Sequence, residues 1–165
     1  MKISYIDVPD NISYITCQTP IGEISVLATD RAVKAVVFGK PPANAMHRHT
    51  KPADAAVKEL LEYFGGRRRS FDVTIDPGGT PFQKSVWKAL LTIPYGETQS
   101  YKQIAEAVGN PKATRAVGMA NNRNPIPIII PCHRVIGADG SLVGYSAGLG
   151  IKEALLKLEK NYSCK

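Results

Sequence analysis

Cysteine is scarce in this chain and does not cluster: Cys17, Cys132 and Cys164 are the only three. Spacings that wide form neither a disulfide framework nor a zinc-ligand pattern, so no metal is expected. No apolar run approaches the roughly 20 residues that span a bilayer, so no membrane is expected either. A secretory leader is not expected, because Lys2 is followed by Asp7 before any apolar core builds up. These absences lead us to expect a cytoplasmic, reducing setting, which is also what a working thiol needs.

What is present is an ordinary globular composition. The chain has 165 residues, 44% of them hydrophobic, enough for one large domain or two small ones with a proper core. The net charge of +7 is unevenly spread. Residues 80–165 carry eleven Lys and Arg against five Asp and Glu, whereas residues 1–79 carry ten against nine. A basic second half suits a polyanionic partner, although a solvated surface would have the same composition.

The first 79 residues read as a small α/β unit. Tyr14–Gln18, Glu23–Ala28 and Val33–Phe38 are rich in β-branched and aromatic residues and are separated by turn-forming stretches. Residues 40–52 make a loop in which His47 and His49 lack further metal ligands, so a polar loop is expected there. Ala53–Phe64 has helical periodicity and stops at Gly65-Gly66. Phe71–Ile75 reads as a further strand, and Asp76-Pro77-Gly78-Gly79 as the boundary.

The second unit is helical and clearly punctuated. Thr80-Pro81-Phe82-Gln83 and Ser100-Tyr101-Lys102-Gln103 are capping boxes, the first with proline at the opening helical position. They predict helices to about Leu91 and Val108. Gly109-Asn110-Pro111 then turns the chain into a helix over residues 112–122, giving a helix-turn-helix. That last helix is basic only at Lys112 and Arg115 and is otherwise rich in small residues, which suit close packing within the protein or a tight fit to a narrow groove. A Gly/Ser-rich loop over residues 142–150 precedes a final helix, Ile151–Lys160. Glu159 falls near its C-terminal end, where a carboxylate opposes the helix dipole; it is either simply exposed or retained to orient a histidine.

Reactive side chains concentrate in Asn124–Ile136. Three prolines predict an extended backbone around the apolar run Ile128, Ile129, Ile130, which delivers Cys132, His133 and Arg134 without a gap. Neighbouring positive charge favours the thiolate, the reactive form of cysteine. Against that, a free cysteine is often only a buried small hydrophobe, and neighbours on an extended strand face opposite ways.

Residues 80–159 resemble the O6-alkylguanine-DNA alkyltransferases, also called methylated-DNA–protein-cysteine methyltransferases. The motifs carrying the likeness are Pro131-Cys132-His133-Arg134-Val135, Asn124-Pro125, Ser100-Tyr101, Arg115-Ala116-Val117-Gly118 and Gly144-Tyr145-Ser146. The resemblance implies an α/β (α+β) fold: a small N-terminal α/β domain with a short antiparallel sheet over 1–79, then a helical DNA-binding domain over 80–165. It implies single-turnover transfer of an alkyl group from O6-alkylguanine in duplex DNA, and also from O4-alkylthymine, to Cys132 in a monomer that needs no cofactor. His133 would act as base through a water, oriented by Glu159, and Tyr101 would donate to the departing purine. Tyr145 and Ser146 would bound the pocket, and backbone carbonyls near Cys132 and Val135 would accept from the base's amine. Arg115 would enter the base stack, with Thr114, Ala116 and Arg134 among the DNA-contacting residues, and Asn124 would tie the recognition helix to the active-site segment. Ala147 stands where many members have glycine, which would narrow the pocket. Alkyltransferase-like proteins, which bind the lesion without transfer, are the alternative, and Cys132 argues against it.

Overall fold

The computed structural model describes residues 9, 10 and 12–163, and the chain divides into two compact units with the boundary between Gly78 and Gly79. Lys2, Asp7 and Cys164 lie outside the described residues.

The N-terminal unit is built on β1 (Ser13–Thr19), β2 (Gly22–Ala28), β3 (Val33–Phe38) and the two-residue β4 (Met46–His47). The sheet runs β3-β2-β1-β4, antiparallel except that β4 lies parallel to β1. Thr19 pairs with Gly22 across a tight turn, and Gly22 takes φ of 106°, a value that side-chain-bearing residues rarely adopt. Central β2 is buried continuously from Ile24 to Ala28, as a strand flanked on both edges should be. Helix α1 (Lys51–Phe64) covers the sheet with Ala53, Ala56, Leu60, Tyr63 and Phe64, which share one face at helical spacing. The Thr50 hydroxyl caps its N-terminus by accepting from Ala53 N–H at 3.3 Å, which starts the helix two residues before the expected Ala53.

Two expectations fail in this unit. His47, placed in a loop by its sequence, forms β4 beside Tyr14. Phe71–Ile75 is not a strand: it contributes a single bridge, Ile75 to Val33. The Asp72 N–H donates to the Glu59 carboxylate at 2.9 Å instead of to a neighbouring strand, so no ladder propagates there. Among the described residues no group of three or more His, Cys, Asp or Glu gathers as a metal site. His49 bonds Asp54 at 2.6 Å, and its ring packs edge-on to His47.

The C-terminal unit contains α2 (Pro81–Leu90), β5 (Gln99–Ser100), α3 (Tyr101–Ala107), α4 (Thr114–Asn122), β6 (Val135–Ile136) and α5 (Leu149–Ser163). Both capping boxes form as read, with Thr80 and Ser100 each accepting from the N–H three residues on and Gln83 and Gln103 reaching back. Trp87 anchors α2 to α4 by donating from Nε1 to the Ala120 carbonyl at 2.9 Å. Helix α4 begins at Thr114, after a turn over Pro111 and Lys112, and its N-terminus has no side-chain cap. β5 and β6 pair in parallel, which brings the start of α3 beside the segment that follows Cys132. No helix among the described residues is long and apolar enough to cross a membrane.

Candidate active site

Asn124–Pro131 is not extended as its prolines suggested. It folds into a tight turn closed by Ile130 N–H on the Ile126 carbonyl at 2.9 Å, with Ile128 at φ of 74°. A β-branched residue rarely adopts that conformation, and full burial of Ile126, Ile128 and Ile130 is what holds it. Asn124 braces the turn from inside: Nδ2 donates to Ile130 O at 2.8 Å, and Oδ1 accepts from Ile126 N–H at 2.9 Å. Its side chain also counters the rise that burial imposes on the Cys132 thiol.

The turn delivers Cys132, His133 and Arg134 as one 3-10 turn, not as strand. At about three residues per turn, successive side chains diverge by about 120°. His133 therefore neither opposes Cys132, as it would on a strand, nor faces it directly. All three residues are buried, His133 completely.

Glu159 is the hub beneath them. One carboxylate oxygen, Oε1, accepts from His133 Nε2 at 2.7 Å and from Arg134 Nη2 at 2.9 Å. The other, Oε2, accepts from Arg134 Nε at 2.9 Å and from Gly96 N–H at 3.1 Å. Burial alone would raise this carboxyl, but the bonds from His133 and Arg134 outweigh it and hold Glu159 as an anion. Arg134 also donates from Nη1 to the Ile93 carbonyl at 2.7 Å and lies over the Tyr95 ring. Its guanidinium thus faces the interior, which corrects the expectation that it meets DNA: a bidentate carboxylate draws it inward. Burial lowers the His133 pKa despite Glu159, so the imidazole is neutral. With Nε2 donating to Glu159, Nδ1 carries the lone pair, and this buried atom has no hydrogen-bond partner in the protein.

Burial raises the Cys132 thiol, while Asn124, Tyr145 and the Lys152 ammonium act in the opposite direction. Tyr145 is 9% exposed; burial, and after it the neighbouring Cys132, raise its phenol, and its buried hydroxyl has no hydrogen-bond partner in the protein. Tyr101, at the start of α3, donates to the Val143 carbonyl at 2.9 Å and lies close to Gly118 and Gly144. Gly144 takes φ of 59°, a conformation that side-chain-bearing residues rarely adopt, so glycine suits the loop where it passes Tyr101. Ser146 is exposed, at the outer edge of the same loop. On α4, Thr114, Arg115 and Ala116 are exposed while Val117 and Ala120 are buried. The small residues of α4 thus divide between close packing inside and an open face outside.

Two residues were missed in the sequence. Asn121 donates from Nδ2 to the Cys132 carbonyl at 3.3 Å, joining α4 to the thiol segment. Lys152 is wholly buried and donates to the Val135 carbonyl at 2.5 Å. The two carbonyls expected to receive a base's amine are therefore both engaged within the protein. Asn121 gave no signal in the sequence. Lys152 did: helical spacing puts this charged residue on the same inward face of α5 as Leu155 and Glu159.

Comparisons with known proteins match both units. A family described as "6-O-methylguanine DNA methyltransferase, DNA binding domain" matches residues 81–161, and one described as "6-O-methylguanine DNA methyltransferase, ribonuclease-like domain" matches residues 12–77. The chain is 52% identical over 157 residues to a methylated-DNA–protein-cysteine methyltransferase of Methanosarcina barkeri, covering 90% of this chain and 97% of the relative. It is 47% identical over 154 residues to one from Mycobacterium tuberculosis, covering 91% and 93%. The crystal structure of Mycobacterium tuberculosis OGT in complex with DNA superposes with a TM-score of 0.84 at 46% identity, covering 91% of this chain and 94% of that one.

Proposed function

The chain belongs to the 6-O-methylguanine DNA methyltransferase family, and from that premise we propose that Cys132 takes the alkyl group, with His133, Glu159 and Tyr101 assisting. The protein is a methylated-DNA–protein-cysteine methyltransferase that repairs DNA by direct reversal. Identity over most of the chain favours transfer over lesion binding without chemistry.

The chemistry follows from the groups present. Neutral His133, its Nε2 held by Glu159, accepts the thiol proton at Nδ1 through a bridging water. The Cys132 thiolate attacks the alkyl carbon: the S–C bond forms, the C–O6 bond breaks, and its electron pair stays on the purine. A proton delivered to the purine by Tyr101 balances that charge, and the phenolate is made good from the relay. Overall, one proton has moved from thiol to guanine and one alkyl group from guanine to sulfur. The product is a thioether, a poor leaving group, and no residue nearby is suited to remove it. Each molecule therefore acts once.

The target oxygen lies inside the duplex, so the nucleotide must be everted at a cost of about a few kcal/mol. The exposed face of α4, a helix-turn-helix with α3, meets the groove, and Arg115 fills the gap left in the stack. Thr114 and Ala116 border it, and Tyr145 and Ser146 wall the pocket. The protein acts as a cytoplasmic monomer on duplex DNA.

The observation that carries this reading is the buried His133–Glu159 bond beside Cys132, which leaves one imidazole nitrogen free to serve as base. Incubation with an O6-methylguanine duplex, followed by intact mass and peptide mapping, tests it. One added methyl on Cys132 is expected; an unmodified wild type, or an equal gain in Cys132→Ala, would overturn it.

A further inference from the structure

Lys152 has no part in that relay, yet among the described residues it is the most completely enclosed cation. Burying an ammonium is costly unless its protons and charge are both satisfied. Its protons are accounted for in part: Nζ donates to the Val135 carbonyl at 2.5 Å and to the Val143 carbonyl at 2.9 Å. Val135 directly follows the Cys132–Arg134 turn, and Val143 opens the loop that carries Tyr145. One ammonium therefore fastens the pocket-wall loop to the thiol segment. It also lies over the rings of Tyr101 and Tyr145, at 5.9 and 6.0 Å from their centroids.

Its charge is the part without an obvious complement. No carboxylate pairs with Lys152 among the described residues, and Glu159, the buried carboxylate of this site, is already clasped by Arg134. The ionisable groups around Lys152 are Tyr101, Tyr145, Cys132 and His133, and the groups facing Cys132 are Tyr101, Tyr145, Lys152 and the His133–Glu159–Arg134 cluster. Of the three that can become anions beside Lys152, the thiol ordinarily ionises first.

Given Cys132 as the acceptor, we infer that Lys152 is a positioning residue for alkyl transfer: its ammonium is the counter-ion of the Cys132 thiolate and, through the Val135 and Val143 carbonyls, holds the Tyr145 loop against the sulfur. It remains protonated throughout and donates no proton to the reaction.

The test uses Lys152→Met, which removes charge and donors, Lys152→Gln, which keeps an amide donor, and Lys152→Arg, which keeps the charge. The rate of Cys132 benzylation by free O6-benzylguanine is followed by intact mass across about pH 6 to 10, a range spanning ordinary thiol ionisation. Iodoacetamide labelling of Cys132 over the same range reads the thiolate without repair chemistry. In Lys152→Met and Lys152→Gln both midpoints should move up by about one pH unit, with about tenfold slower reaction at neutral pH that recovers in alkali. Lys152→Arg should keep the wild-type midpoint. Trp87 fluorescence checks that each variant is folded, and Lys152→Gln decides the matter if Lys152→Met is not. Equal slowing at every pH with unmoved midpoints would reduce Lys152 to a structural fastener and overturn the inference. A wild type that labels with iodoacetamide yet never accepts benzyl would instead defeat the reading of Cys132 as the acceptor.

Discussion

Each unit of this protein buries a glutamate beside an arginine, and the two arrangements behave differently. In the N-terminal unit Glu59 accepts from the Asp72 backbone, while Arg68 divides its guanidinium among Glu62, Asp72 and, at 3.8 Å, Glu59. Arg68 keeps 21% of its side chain in water, and Asp72 keeps 79%. In the C-terminal unit Glu159 is fully enclosed, receives two bonds from Arg134, and adds a histidine. Water screens the first cluster, so it fastens a loop with energies that are small one by one. The second cluster is dry, so each charge depends on its partners and its state is passed on to His133 and the thiol. Similar residue types fasten a loop in one place and, on the proposed reading, support a reactive centre in the other, and the difference is access to solvent.

The two cysteines among the described residues draw the same contrast. Burial raises both thiols, but only Cys132 has Asn124, Tyr145 and Lys152 to offset it. The largest expected effect is therefore total: Cys132→Ala should abolish transfer from methylated duplex, with no methyl appearing on Cys17 by peptide mapping. Methyl found on Cys17 would erase the distinction.

Next in size, Glu159→Gln should leave Arg134 buried and unpaired, at a cost of about 3–5 kcal/mol as for other broken buried pairs. Trp87 is the only tryptophan, so its fluorescence during urea unfolding reports the C-terminal unit. The Glu159 carboxyl titrates at about 2 against an ordinary 4.5. A depressed carboxyl stabilises the fold fully above its unfolded value, and that contribution is lost as the pH falls through its folded value. The gap between wild type and Glu159→Gln should accordingly be widest at neutral pH and close as the pH falls from about 4.5 to about 2. A gap independent of pH would mean that the carboxylate's charge is not what stabilises the site.

Arg115→Ala should act on duplex alone. Repair in DNA should slow by about tenfold, in the range of one lost contact of about 1–3 kcal/mol, while reaction with free O6-benzylguanine stays near wild type. Equal slowing on both substrates would refute insertion into the stack. Smallest of all, Arg68→Ala should lower thermal stability by less than half the loss seen in Glu159→Gln and leave the transfer rate unchanged. A comparable loss would show that the half-solvated cluster is as tightly coupled as the dry one.

Much of this was readable in advance where local chemistry sufficed. Capping boxes at Thr80 and Ser100, the Gly65-Gly66 stop after α1, and the β-branched and aromatic strands β1 to β3 each follow from a few neighbouring residues. Phe71–Ile75 and Asn124–Pro131 were misread because their backbones are governed by partners distant in sequence: the Glu59 carboxylate takes the Asp72 N–H, and the Asn124 side chain closes the turn around Ile128.

By itself, the order of residues determined the two-part layout, the helix starts and the run that joins a thiol to an imidazole, because propensity, capping and adjacency act over a few residues. Only the tertiary structure decided that Arg134 turns inward to Glu159, that Glu159 orients His133, and that Lys152 lies beside Cys132. Those outcomes depend on which charges lose water together, and desolvation is a property of the packed neighbourhood rather than of any stretch of chain.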